Sequence, residues 1–173
     1  MTLLKAEALS YTDRASPLVQ DASLTLEAVS LVMLIGPNGS GKTPLLSLLL
    51  AGSGICRLLG TDIARIAPSH RARIAAYLPQ SRPMVWPQPV RDIVALGRFA
   101  HGGAPARLSL RDHDTFDEAM TACAVSHFAE RAADTLSGGE LARVHLARAL
   151  ATKTPLLVAA NLSRRSTRAT RMK

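Results

Sequence analysis

Hydrophobic positions along this chain fall into two kinds of pattern, and each predicts a different element. The first is the short continuous run. Residues 29–35, VSLVMLI, are apolar at six of seven positions and stop abruptly at Gly36. A run so short and so rich in Val, Leu and Ile predicts a buried parallel strand. The run Leu156-Leu157-Val158-Ala159 predicts another. The second pattern is helical recurrence. Past Lys42 the stretch LLSLLLAG predicts a buried helix ending at Gly52. Leu141, Val144, Ala147 and Leu150 recur at helical spacing within LARVHLARALAT, and DHDTFDEAMTACAV, 112–125, adds a helical stretch before it. Strands separated by helices predict an α/β fold.

Between the first strand and its helix stands Gly36-Pro37-Asn38-Gly39-Ser40-Gly41-Lys42-Thr43, which fits G-x-x-x-x-G-K-[ST] at every position. Glycines let the backbone curl so that successive N–H groups converge on one phosphate, and the helix behind presents its positive end to the same anion. Lys42 is placed to reach the β- and γ-phosphates, and the Thr43 hydroxyl to ligate Mg²⁺. The plain alternative is a Gly-rich turn that only joins strand to helix. Pro44 follows where loops of this kind usually carry a second hydroxyl. It fits a helix's first turn but offers neither N–H nor hydroxyl to a phosphate, so weaker nucleotide affinity is expected.

A second glycine pair opens a second helix. Leu136-Ser137-Gly138-Gly139-Glu140 precedes the 141–152 pattern. Read by itself it is a helix start capped by Ser137 with a flexible lead-in. Read beside the first loop it is a second anion site. This LSGGE resembles the signature motif of ABC transporter ATPases. The resemblance runs from Met1 to about Ala160. It implies a P-loop ATPase domain over 1–160, with an inserted helical subdomain over 81–135 that docks on membrane subunits. It also implies ATP and Mg²⁺ as cofactors and a homodimer in which Ser137, Gly138, Gly139 and Glu140 cover the ATP held by the partner's P-loop. Tyr11 in ALSYTD matches the family's adenine-stacking position; a strand residue packed on the core is the alternative. Gln80 in AAYLPQ matches the glutamine that touches Mg²⁺ and senses the transmembrane permease; a polar strand end is the alternative. RARIAAYLPQ and WPQPVRDIVALGRFAHG, with VALGR just after the glutamine, resemble importer ATPases for iron–siderophore complexes, haem and cobalamin. Such a subunit sits on the cytoplasmic face of the plasma membrane, and a substrate-binding protein acts through the permease.

Two stretches depart from the family pattern. LTLEAVSLVMLI lacks the usual glycine-bearing turn, and LAGSGICRLLGTD is short between helix and next strand.

Composition changes this picture little. No apolar run is long enough to span a membrane, and no signal-peptide pattern is seen. Cys56 and Cys123 lie outside any metal-ligand spacing and are expected to be reduced core residues. His101 and His113 share no ligand spacing and are expected at the surface. The net charge of +8 owes much to Arg164, Arg165, Arg168, Arg171 and Lys173; without them 16 basic residues face 13 acidic ones. RNA binding through the tail is thus a possible third reading, but the body offers no aromatic platform and no nucleic acid partner is expected.

The end of the pattern is where the resemblance breaks. The family carries Asp-Glu-Pro after its LLVA-type strand: Asp orients Mg²⁺ through water and Glu polarises the attacking water. Ala160, Asn161 and Leu162 stand at these positions. The domain is thus expected to be incomplete at its C-terminal side, with no intact catalytic residue and impaired hydrolysis. A non-catalytic, degenerate nucleotide-binding protein is the competing reading. The stretch 161–173 reads either as a basic, unstructured tail or as an out-of-frame version of the expected sequence. Under one choice of synonymous codons, shifting the frame by one base from the last base of codon 160 yields EPVAALDPRHQ. Sequencing the DNA through codons 155–173 decides this. The frame reading expects a missing base at codon 160; an intact codon means that the carboxylates are truly absent.

Overall fold

The computed structural model describes residues 1–13, 16–37, 39–51, 55–79, 87–105 and 107–160. Strand β1 (Thr2–Asp13) forms a long antiparallel hairpin with β2 (Ser16–Glu27). Its other edge pairs antiparallel with β3 (Ile55–Leu58), and β4 (Thr61–Asp62) closes on β3. The sheet order is therefore β2-β1-β3-β4. Helix α1 (Lys42–Ala51) lies against this sheet. Leu48 and Leu49 bury with Leu4, Ala6 and Leu9 of β1 and with Cys56 and Leu58 of β3. Cys56 donates its thiol to the Leu49 carbonyl at 3.2 Å, and burial pushes that thiol's pKa up. Both cysteines are free and buried, the core role expected of them.

A second, parallel sheet pairs β5 (Ala75–Leu78) with β6 (Leu156–Ala159). Helix α2 (Pro68–Ile74) leads directly into β5, with proline at the first helical position, where its missing N–H costs nothing. Leu156 and Val158 of β6 join the same core as α1.

The crossover from β5 to β6 carries α3 (Val90–Ala95), α4 (Leu110–Ala122) and α5 (Gly138–Ala151), with short 3₁₀ turns between them. Val90, Ile93, Val94, Ala119, Met120, Val125, Val144, Ala147 and Ala151 form a second apolar cluster. The cluster includes α5, so its packing extends past residue 135, the boundary read from sequence.

The VALGR phrase has a physical account here. The 3₁₀ turn Leu96–His101 lies across the end of α5. A Cβ on Gly97 would sit 2.3 Å from the Arg148 carbonyl oxygen, so only glycine fits that approach. Arg98 is buried, donating Nη1 to the Ala151 carbonyl at 2.8 Å and Nε to Asp112 Oδ1 at 2.7 Å. His101 Nε2 donates to the Thr152 carbonyl at 2.9 Å. These carbonyls at the C-terminal end of α5 have no intrahelical partner and carry partial negative charge, which a cation answers. His101 is exposed, as expected, but it is held by this bond.

One expected element is absent. The segment 29–35 is not a strand, and no ladder reaches it among the described residues. Val29, Leu31, Met33 and Ile35 are exposed at 107, 87, 71 and 87 %. Apolar composition gives a segment a reason to be buried but gives it no neighbour to pair with. The turn entering the segment is also strained. Val29 stands at φ +56°, a left-handed conformation suited to glycine and costly for a β-branched residue. The missing turn glycine noted in the sequence thus has a conformational consequence.

Asp112 supplies the first prediction from the fold. Hydrogen bonds from Ser109, then the Arg98 guanidinium, lower its pKa from 3.8 to about 2. A depressed carboxylate contributes stability that is complete above the unfolded pKa and lost as pH falls through the folded one. The contribution should therefore fade between about pH 4 and pH 2. Asp112→Asn should cost about 1–3 kcal/mol at pH 7 in urea titrations and flatten that acid limb.

Candidate nucleotide site

The loop at 36–43 is built by backbone freedom and steric exclusion. Gly39 and Gly41 have φ of +82° and +76°. A Cβ on Gly41 would stand 2.2 Å from the Leu18 carbonyl oxygen and 3.3 Å from Val19 Cγ2. Gly41 is therefore required twice, by its conformation and by the closeness of β2. A Cβ on Gly36 would meet Ser40 Oγ at 2.8 Å. The loop closes with Ser40 N–H to the Pro37 carbonyl at 3.3 Å, and α1 begins with Leu45 N–H to the Gly41 carbonyl at 2.9 Å. Pro44 lies in the first turn of α1, where its absent N–H removes no intrahelical bond.

Lys42 folds back over the loop. Its Nζ donates to the carbonyls of Gly36 at 2.8 Å and Pro37 at 2.6 Å, and to Ser40 Oγ at 3.2 Å. The ammonium thus lies within the curl of the loop, at the positive end of a 10-residue helix. That is the charge and position a phosphate group needs, and the carbonyls it now holds are weaker partners than an anion. Thr43 is exposed one residue further on.

Tyr11 is 39 % exposed, so it is not packed into the core. On the β1–β2 ladder it pairs with Val19, the residue whose methyl borders Gly41. The strand register thus places Tyr11 at the sheet position next to the loop.

The second glycine pair behaves differently. Ser137 caps α5: its Oγ accepts from the Glu140 N–H at 3.3 Å, and Glu140 Oε2 accepts from the Ser137 N–H at 2.7 Å. The Ser137 hydroxyl first, and then the Ser137 N–H, stabilise the Glu140 carboxylate and lower its pKa from the ordinary value. A Cβ on Gly138 or on Gly139 would meet nothing within 4 Å. Neither glycine is demanded by packing among the described residues, and both lie exposed at the helix start. No hydrogen bond among the described residues joins this loop to 36–43.

Ala160 is buried and extends the parallel pairing, donating its N–H to the Leu78 carbonyl at 2.8 Å. Its methyl offers nothing to a cation, and no group of three or more His, Cys, Asp or Glu that could hold a metal occurs among the described residues. Asn38, Gln80, Asn161 and the tail 161–173 lie outside the described residues.

The sequence reading missed Arg98 and Asp112. Half of that pair was legible: Ser109-Leu-Arg-Asp112 has the spacing of a capping box, and the structure forms one. The packing of Gly41 on Leu18 had no sequence signal, because it depends on where a distant hairpin lies.

Two substitutions distinguish the loops. Gly41→Ala should lower the melting temperature and abolish nucleotide binding, since the new methyl has no room. Gly138→Ala should leave the melting temperature unchanged or raise stability by up to about 1 kcal/mol, as replacing a helical glycine does. Thermal melts of both variants test this.

Comparison with known proteins agrees with this geometry. Residues 19–160 match the ABC transporter family. The chain is 38 % identical over 148 residues to a hemin import ATP-binding protein of Nocardia farcinica, covering 83 % of this chain and 51 % of that one. It is 36 % identical over 160 residues to a hemin import ATP-binding protein of Thermobifida fusca, covering 90 % and 56 %. Among solved structures, a metal-chelate type ABC transporter in an inward-facing conformation superposes with a TM-score of 0.74 at 25 % identity, over 92 % of this chain and 60 % of that one. The chain thus spans about half the length of the curated relatives it matches. Its phosphate-type loop, its capped glycine pair and the match over 19–160 together place it in the ABC transporter ATP-binding family.

Proposed function

We propose that this chain is the nucleotide-binding portion of an ABC importer ATPase, and that it binds ATP but hydrolyses it poorly. One observation carries the proposal: Lys42 Nζ sits within 3.2 Å of three loop oxygens, at the start of α1, in a loop whose Gly39 and Gly41 stand at positive φ. Gly36, Pro37, Gly39, Ser40, Gly41 and Lys42 would hold the β- and γ-phosphates, with Asn38 completing the loop. Tyr11 would meet the adenine, and Thr43 with Gln80 the Mg²⁺. Bound Mg²⁺ would neutralise phosphate charge and orient the reacting oxygens.

The open space over Gly138 and Gly139 supports a role between subunits. A backbone approached by nothing among the described residues is free to be approached closely from outside. In a homodimer, Ser137 to Glu140 would cover the partner's ATP. No described helix is long and apolar enough to cross a membrane, so attachment at the inner face of the plasma membrane would come through permease subunits. The matched relatives are named for hemin import, and the resemblance of VALGR and its surroundings extends the substrate class to iron chelates and cobalamin.

The weak point is the end of β6. A carboxylate there orients the Mg²⁺–water shell and a second polarises the nucleophile; Ala160 can do neither, and Asn161 cannot take a proton. This supports the reading of a binder without turnover. Fluorescent ATP binding should be measurable in the 173-residue chain and lost in Lys42→Ala. Phosphate release should be at background in both. Binding unaffected by Lys42→Ala would remove the proposed site, and turnover that Lys42→Ala abolishes would refute the claim about the carboxylates.

A further inference from the structure

The glycine pair at the start of α5 is reached through a short lead-in, and one side chain fastens that lead-in. Glycine restrains its own backbone less than any other residue. The N–H groups of Gly138 and Gly139 have no intrahelical partner in a first turn. Their direction is therefore set by what anchors the chain on either side. On the helix side the anchor is the Ser137–Glu140 box. On the other side it is the stretch 129–136. Its backbone is laced to the segment entering α3. Val90 N–H donates to the Arg131 carbonyl at 3.0 Å, Arg91 N–H to the Ala129 carbonyl at 3.0 Å, and Ala133 N–H to the Gln88 carbonyl at 2.9 Å. Arg91 adds an ion pair with Glu130. The 3₁₀ turn Ala133–Thr135 then leads to Leu136, which packs on the second apolar cluster.

We propose that Arg131 is a positioning residue for the glycine pair, locking the turn 133–135 so that Gly138 and Gly139 are held in one orientation. The proposal rests on the two-subunit reading of Ser137–Glu140 given above. Arg131 Nη2 donates to the Thr135 carbonyl at 2.9 Å and to Thr135 Oγ1 at 3.3 Å. That hydroxyl donates in turn to the Ala132 carbonyl at 2.7 Å. The guanidinium lies 5.1 Å from the centroid of the Phe128 ring, and Phe128 is buried in the second cluster, so the cation is seated on a fixed ring. The Arg131 carbonyl also takes the Val90 bond. One residue thus joins the laced segment to the peptide just ahead of the Ser137 cap. A guanidinium suits this task, because its planar fork can stack on a ring while its donors reach two oxygens. After the Ser137 hydroxyl and N–H, the Arg131 charge further lowers the Glu140 pKa, which puts the cation within electrostatic reach of the cap.

Amide hydrogen exchange of the full 173-residue chain, without nucleotide, tests the hold. Arg131→Met keeps the side chain's length and its apolar contact with Phe128 but removes its charge and donors. It should speed exchange at Thr135, Leu136, Ser137 and Glu140 about fivefold, the factor that one ordinary hydrogen bond supplies, and leave the amides of 144–151 unchanged. Arg131→Lys, which keeps the charge but not the fork, should recover only part of the loss. A second readout uses ATP and Mg²⁺. In Arg131→Met the ATP concentration that drives dimer formation, read by light scattering, should rise about fivefold. The affinity of the dilute single chain for fluorescent ATP should stay at the wild-type value. A role in folding alone would not separate those two quantities. Unchanged exchange at 135–140, or a wild-type midpoint for dimer formation in Arg131→Met, would overturn the proposal. Arg143→Met removes a second cation that lowers the same carboxyl's pKa; an effect equal to that of Arg131→Met would make charge alone the cause and overturn it too. A wild type that binds ATP yet stays monomeric would instead remove the two-subunit reading, and the exchange rates would still decide whether Arg131 holds the turn.

Discussion

A buried arginine set against the end of a helix holds much of this structure in register. Arg98 binds the Ala151 carbonyl at the end of α5 and the Asp112 carboxylate, while Gly97 lets the turn lie against α5 without a side chain between them. A buried guanidinium is stable only when its charge and donors are met. Here one partner is a carboxylate on α4 and the other a helix end on α5. The three elements cannot shift independently without leaving a charge unpaired. Since α5 begins at the capped pair Ser137–Glu140 and leads on to β6, the same contact determines where the glycine pair and Ala160 lie.

The two glycine loops show how one residue type answers two different demands. At 36–41 the glycines are needed by the chain itself: positive φ at Gly39 and Gly41, and a β2 carbonyl that leaves no room for a methyl. At 138–139 nothing among the described residues demands them. The reason for glycine there has to be sought in something that approaches from outside. The composite ATP site proposed above is an argument of this kind, since it would take one loop from each subunit.

The parallel sheet is the part left weakest. Only β5 and β6 pair among the described residues, and Ala160 extends their ladder by one bond. The apolar run before the phosphate loop stays outside it, entered through a valine in a glycine conformation. Hydrophobic pattern predicts what a segment would gain from burial. It does not supply the adjoining strand, and a parallel strand gains little until its neighbour is present.

Local chemistry was legible in the chain from the start. G-x-x-x-x-G-K-T, the capped LSGGE start of α5 and the helix patterns at 112–125 and 141–152 follow from residue type and spacing, and the resemblance to the family marks Ala160 and Asn161 as standing where it carries carboxylates. These are local because capping, turn conformation and helical period act over a few residues. Only the tertiary structure decided the rest. It set Gly41 against Leu18, placed Tyr11 opposite Val19, buried Arg98 at the end of α5, and left 29–35 exposed. Each of these depends on which distant segment lies alongside, and that is determined by packing across tens of residues, for which one chain's pattern of polar and apolar positions carries no signal.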